Sequence, residues 1–175
     1  MNGTSEQVSF LHNLIDDGPV TILHKKDGQF ILELIYDSET KSRTNYTAGS
    51  MQAILANLKH EPAKAIELEA AIADIEEQMM PVIKELHKHR CLVTTDRVFW
   101  NIAEIAGFGS EDKHRLDVGT VEAVFNRLVD VAYGTPASRL EVPETREFAA
   151  TVLFLRELMH HANYSSIILL TPKEY

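Results

Sequence analysis

ETREFAATVLFLRELMHHAN, residues Glu144–Asn163, is the stretch that decides most of the predicted fold. Its apolar residues recur in steps of four and three, the spacing of one helix face packed on a core. These residues are Phe148, Val152, Leu155, Met159 and Ala162. The apolar run that follows, from Ser166 to Thr171, predicts a buried strand. We therefore expect this helix to return the chain to a sheet formed earlier in the sequence.

Residues 19–35 have the pattern of a β-hairpin whose turn contains Asp27–Gly28. A two-residue loop would pair Ile22 with Glu33, whereas a three-residue loop would pair Ile22 with Leu32. We favour the three-residue loop because it places polar side chains on one face of the hairpin and apolar side chains on the other. The hairpin is then the sheet that the C-terminal strand joins.

Helical periodicity dominates the middle of the chain, after a polar segment at residues 42–47 that is predicted to be an edge strand. One short helix is predicted over residues 51–58. A longer apolar seam passes Pro81 without losing phase, so we predict a single helix from Pro62 to Leu86, kinked just before Pro81. Two further helices are predicted on either side of a polar loop at residues 109–119.

These elements predict an α+β fold that is mainly helical. A small N-terminal antiparallel sheet, made of the hairpin and the C-terminal strand, is expected to pack on a bundle of four or five helices. We expect a single domain over residues 1–175. It divides into a helix, the hairpin and a short helix in 1–60, the bundle in 61–163 and the returning strand in 164–171.

Composition narrows the classes of function. The chain has 175 residues and a formal net charge of −9, which argues against binding to DNA or RNA backbones. Its single cysteine, Cys91, excludes an internal disulfide and is expected to be a small buried apolar side chain. The sequence has no secretory signal and no apolar run of bilayer length, so we expect a cytoplasmic protein without membrane contact.

Two residues near the end of the predicted last helix, Arg156 and His161, have the spacing arginine, any four residues, histidine. This pattern resembles the signature of HEPN ribonucleases, which are helical domains that cut RNA without a metal. The resemblance implies a catalytic pair in which Arg156 steadies the phosphate and His161 moves a proton. It also implies that a helical dimer would bring two such pairs together.

A metal site is a further hypothesis for the same helix end. Glu157 and His160 stand three residues apart, the spacing that di-iron helical bundles use for ligands that face inward. His87, His89 and Cys91 form a second cluster of ligand types, but alternate residues of a helix point in different directions. The sequence contains no phosphate-cradling glycine-rich loop, no Gly-x-Ser-x-Gly elbow and no dinucleotide fingerprint.

Trp100 is a candidate for a protein interface. It lies off the apolar stripe of its predicted helix, so a surface anchor and a core residue are equally open interpretations. By elimination, the sequence favours a small soluble non-enzymatic module that needs no cofactor and binds another protein or a second copy of itself. A HEPN-like ribonuclease is the alternative, and a metal-binding helical bundle is the third hypothesis.

Overall fold

A six-stranded mixed sheet forms the centre of the computed structural model, which describes residues 13–14, 18–36, 43–86, 91–109 and 113–171. The strands are β1 (Val20–Lys26), β2 (Gln29–Ile35), β3 (Arg43–Ser50), β4 (Cys91–Thr94), β5 (Lys113–Asp117) and β6 (Ser166–Leu170). The helices are α1 (Met51–Asn57), α2 (Ala65–Leu86), α3 (Arg97–Ile105), α4 (Val118–Ala132), α5 (Ala137–Leu140) and α6 (Arg146–His161). The predicted helix near the N-terminus lies outside the described residues, except for positions 13 and 14.

The fold is α/β, so the predicted α+β arrangement on a helical bundle is wrong. The strand order is β3-β2-β1-β4-β6-β5, with β1, β4 and β6 parallel to one another and the other pairings antiparallel. Strand β6 exists as predicted, but it inserts between β4 and β5 and does not pair with the hairpin. Strand β4 was not predicted because it is only four residues long, and β5 was not predicted because its residues are mostly polar.

The hairpin also differs from the favoured register. Asp27 and Gly28 have φ angles of 51° and 74°, which form the two-residue turn that pairs Ile22 with Glu33. The preference for one apolar face was mistaken because the sheet has a core cluster on each side. Leu23 belongs to one cluster and Ile22 to the other. The predicted third strand is confirmed as β3, at the edge of the sheet.

Helix α6 is the central helix of the fold, because it is buried on all sides and not on a single stripe. Between Phe148 and Met159 every residue is buried except Arg156. Phe154 stacks on Phe30 of the sheet, with 3.8 Å between ring centroids and 7° between ring planes. A β-carbon at Gly49 would lie 2.8 Å from the Phe154 ring, so glycine lets the sheet and the helix approach this closely.

Helix α2 confirms the prediction of one long helix that continues through Pro81, although it begins at Ala65 and not at Pro62. The seam residue Leu68 is buried against the core. None of the described helices combines the length and the apolar character that crossing a bilayer would require.

Candidate functional site at the two ends of helix α6

Helix α6 carries polar side chains at both of its ends, and each end defines a separate candidate site. The first is a cleft of about 360 Å³ at the N-terminal end. Its walls are formed by Lys25, Val98, Asn101, Glu104, Ile105, Pro143, Thr145, Glu147, Phe148 and Thr151. A cavity of this size is within the range that holds small-molecule ligands.

The cleft lies where the parallel strands β1 and β4 end. Thr94, the last residue of β4, donates its hydroxyl hydrogen to the carbonyl oxygen of Leu23 at 2.8 Å. Just beyond, the backbone N–H of Lys25 donates to the carboxylate of Asp96. These bonds tie the two strand ends together and place Lys25 at the cleft. In open α/β sheets, the crevice outside the carboxyl ends of the parallel strands is the usual place for a ligand.

Three polar side chains of the cleft are uncommitted. Within the described ranges, no hydrogen bond or ion pair engages the ammonium of Lys25, the amide of Asn101 or the carboxylate of Glu147. Glu104 differs because it forms an ion pair with Arg97 at 2.6 Å. The cleft therefore offers one cation, one amide and one carboxylate that a ligand could engage without breaking an existing contact.

Two helices begin beside the cleft. Helix α3 starts at Arg97, directly after β4, and Asp96 does not cap it with its side chain because that carboxylate binds Lys25. Helix α6 starts at Arg146, and the Thr145 hydroxyl accepts the N–H of Phe148 at 3.4 Å. The N-terminal ends of helices carry partial positive charge and attract anions.

The second candidate site is the carboxylate–histidine network at the C-terminal end of α6. It consists of Arg156, Glu157, His160 and His161 with Glu76 on α2 and Glu122 on α4. Arg156 donates to both oxygens of Glu122, at 2.7 and 3.2 Å, and also to Glu157. Its guanidinium lies 4.2 Å from the centre of the Phe125 ring. Four contacts therefore fix this arginine.

Charge pairing shifts the acid–base behaviour of this network. The hydrogen bond from Arg156 lowers the pKa of Glu122 below its usual value, although partial burial acts in the opposite direction. Burial alone would lower the pKa of Arg156, but the hydrogen bond with Glu122 and the charge of Glu157 raise it instead. Both groups are thus held in their charged forms.

The two histidines contact different carboxylates. His160 Nε2 lies 3.1 Å from Glu122, whereas His161 Nε2 lies 3.0 Å from Glu76 and 3.5 Å from Glu157. The predicted metal pair Glu157 and His160 is therefore separated, and His161 takes the place beside Glu157. The predicted catalytic pair Arg156 and His161 meets carboxylates on both sides, which is a poor setting for an RNA phosphate.

Trp100 and Cys91 both have surroundings typical of residues that support the fold. Trp100 is 2% exposed and donates its indole N–H to the carbonyl oxygen of Leu170 at 3.1 Å, so it is a core residue and not a surface anchor. Cys91 is partly buried at the start of β4, and burial raises the pKa of its thiol. The companion residues His87 and His89 lie outside the described residues.

A mixed α/β sheet with a cleft at the ends of its parallel strands is an architecture used by many ligand-binding domains and enzymes. The chain is similar in structure to the Ppx/GppA phosphatase of Aquifex aeolicus (TM-score 0.63, 12% identity, covering 88% of this chain and 53% of that chain). It is similar to an exopolyphosphatase from Cytophaga hutchinsonii (TM-score 0.64, 13% identity, covering 92% of this chain and 56% of that chain). It is also similar to an exopolyphosphatase-like protein (TM-score 0.64, 15% identity, covering 89% of this chain and 56% of that chain). The chain thus spans little more than half the length of these structures. Neither a family model nor a curated protein sequence matches it.

These neighbours overturn the functional prediction. Their names are those of a phosphatase, an exopolyphosphatase and an exopolyphosphatase-like protein. The six-stranded sheet that this chain shares with them rules out the mainly helical domain that the predicted non-enzymatic binding module, the HEPN-like ribonuclease and the metal-binding bundle all assumed. The cleft was not predicted because its uncommitted residues, Lys25, Asn101 and Glu147, are far apart in the chain and form no motif. A usable signal was the position of Lys25 in the last two residues of β1 and of Asp96 just after β4, two strands of the parallel core.

Proposed function

We propose that this chain is a phosphatase-type domain that removes phosphate from a phosphorylated substrate bound in the cleft. The observation that carries the proposal is the set of uncommitted polar side chains, Lys25, Asn101 and Glu147, in a cleft at the carboxyl ends of β1 and β4. The likeness to exopolyphosphatase structures favours a chain of phosphates as the substrate. Because this chain spans about half of those structures, the activity of the whole neighbour is itself part of the proposal.

Binding of the phosphate would rest on side chains and helix ends. The Asp27–Gly28 turn is too short to wrap around a phosphate, and the sequence has no glycine-rich loop for that purpose. The ammonium of Lys25 supplies a positive charge, and the N-terminal end of α6, whose first turn lines the cleft, supplies a partial one. Arg97 offsets the negative charge of Glu104, which would otherwise oppose an anion.

Hydrolysis would use the uncommitted carboxylate. The oxygen of a water molecule attacks the terminal phosphorus while Glu147 accepts a proton from that water. The bond from phosphorus to the bridging oxygen breaks, and the shortened polyphosphate leaves as an anion whose oxygen keeps the bonding electrons. Phosphoryl transfer depends mainly on positioning and electrostatic stabilisation. In this scheme Lys25 stabilises the charge on the phosphate oxygens, and the Asn101 amide orients the water or the phosphate.

The test is release of inorganic phosphate from polyphosphate by the purified chain and four variants. Lys25→Ala and Glu147→Gln remove the proposed cation and base, and we expect each to lower the rate at least ~100-fold. Lys26→Ala and Glu144→Gln are matched controls, because they alter the same residue types on neighbouring positions that do not line the cleft. We expect both controls to retain the wild-type rate. Absence of phosphate release by the wild-type chain, or equal rates in all five proteins, contradicts the proposal.

A further inference from the structure

A second site stands at the opposite end of α6 from the cleft, where three metal-ligand atoms converge. Glu76, Glu157 and His161 each offer one ligand atom, and these three atoms all lie within 4.8 Å of one another. Glu157 and His161 are four residues apart on one helix, so their side chains lie on the same face. Glu76 comes from the neighbouring helix α2, which α6 packs against.

We propose that Glu76, Glu157 and His161 bind a divalent transition metal ion, Zn²⁺ in the first instance. One imidazole nitrogen with two carboxylate oxygens is a ligand set that zinc accepts, and zinc sites with three protein ligands keep a fourth position for solvent. At bond lengths of ~2.0–2.1 Å, the ligand atoms of a tetrahedral site lie about 3.3–3.4 Å apart. The separations from His161 Nε2, 3.0 and 3.5 Å, are close to that spacing.

The buried carboxylate is the observation that distinguishes this cluster from an ordinary ion pair. The Glu157 side chain is only 4% exposed, and Arg156 binds its Oε1. No hydrogen bond to Oε2 is made by any residue that the structure describes, and His161 Nε2 lies 3.5 Å from this oxygen. A buried carboxyl oxygen without a close hydrogen-bond donor is costly in the interior. A cation between Oε2 and His161 removes that cost.

The charges of the ligands and of Arg156 favour binding of a divalent ion. Arg156 is already paired with Glu122 through two hydrogen bonds, so it orients Glu157 without displacing a cation from the other oxygen. Glu76 and Glu157 then supply two negative charges that balance a divalent ion, and His161 binds as a neutral imidazole. Glu76 and His161 are 43% and 35% exposed, which leaves a route for the metal and a place for a bound water.

The experiment is calorimetric titration of the metal-free chain with Zn²⁺, repeated with Co²⁺ to record the visible absorption of a tetrahedral site. His161→Ala and Glu76→Gln each remove one ligand. The Glu76 side chain is 43% exposed, so Glu76→Gln tests the site even if the histidine variant folds poorly. The matched controls are the adjacent residues, His160→Ala and Glu77→Gln, since His160 contacts Glu122 instead and Glu77 is exposed.

The expected result is one Zn²⁺ bound per wild-type chain and per control chain. His161→Ala and Glu76→Gln are each expected to weaken binding at least ~10-fold. Any other pattern overturns the assignment: no binding by the wild-type chain, equal affinity in all five proteins, loss in only one ligand variant, or an equal loss in a control. The outcome is independent of phosphate release, because the two sites lie at opposite ends of α6.

Discussion

The polar side chains at the two ends of α6 differ in whether they have hydrogen-bond and ion-pair partners. At the N-terminal end, Lys25, Asn101 and Glu147 face the cleft without partners among the described residues. At the C-terminal end, Arg156 and Glu122 are bound to each other and to further neighbours. Partnered groups contribute to stability, whereas uncommitted groups in a cleft are available to a ligand. A cluster of reactive residue types in the sequence therefore does not by itself show where a substrate binds.

The largest expected effect comes from removing the stack of Phe154 on Phe30, which packs the middle of α6 against the sheet. Phe154→Ala would delete the ring that stacks on Phe30 and contacts Gly49 in the middle of α6. We expect the free energy of unfolding to fall by about 3–5 kcal/mol, the usual cost of a large cavity in a core. Chemical denaturation measures this change. Phe154→Leu, which leaves a smaller cavity, should lose clearly less, and equal losses would show that the stack is unimportant.

Acid is expected to weaken the N-terminal end through the loop that supports it. Arg146, the first residue of α6, donates to Leu58 at 3.2 Å and to Glu61 at 3.1 Å. Glu67, in the first turn of α2, accepts hydrogen bonds from His60 and from the backbone of Lys64 in the same loop. Burial alone would raise the pKa of Glu67, but these bonds lower it from 4.5 to about 2.

Because the folded pKa of Glu67 is below the unfolded one, its contribution to stability is complete above pH 4.5 and is lost as the pH falls toward about 2. Glu67→Gln should therefore flatten the decline of the unfolding free energy in this range. The measurement is denaturation at a series of acidic pH values. Glu69→Gln, an exposed neighbour on the same helix, should keep the wild-type slope. An unchanged slope in Glu67→Gln would contradict the role assigned to this carboxylate.

Breaking the network at the C-terminal end should cost less than the core cavity. Glu122→Gln removes the charge that pairs with Arg156, and the free energy of unfolding should fall by about 1.5 kcal/mol, since solvent screens part of the loss. Phosphate release in the cleft should be unchanged. Glu77→Gln is the surface control for stability. A large loss of activity in Glu122→Gln would show that the two ends are coupled.

The smallest effect is expected from the helix cap beside the cleft. Thr145→Ala removes the hydroxyl that accepts the N–H of Phe148, which should lower the free energy of unfolding by about 1 kcal/mol. Thr145→Ser keeps a capping oxygen and should be close to wild type. If alanine and serine are equally stable in thermal denaturation, the cap contributes nothing at this position.

Local patterns predicted the elements that carry strong periodicity. Helices α2, α4 and α6 follow from the spacing of their apolar residues, and β6 follows from its continuous apolar run, although the burial of α6 on all sides was not predicted. The arrangement of the strands did not follow, since parallel pairing joins β1, β4 and β6 across long stretches of chain and leaves no local signature. Strand β4, with four residues, is shorter than any pattern that periodicity can resolve.

The candidate site was predictable only in part, for the same reason. Arg156, Glu157, His160 and His161 stood out because one helix carries all four, although their partners Glu76 and Glu122 come from other helices. The cleft could not be found this way, since Lys25 and Glu147 meet only after β1 and α6 have taken their places. Reactive residue types are visible in a sequence, but their convergence depends on the topology of the sheet.

The burial of Trp100 gives this protein an internal optical reporter. It is the only tryptophan in the chain, and its indole N–H donates a hydrogen bond to Leu170, the last residue of β6. The next residue, Asn101, lines the cleft. The fluorescence of Trp100 should therefore shift to longer wavelength when the last strand detaches, without any label. The same emission should respond to a ligand that settles against α3. A single spectrum can thus follow both folding and occupancy of the cleft.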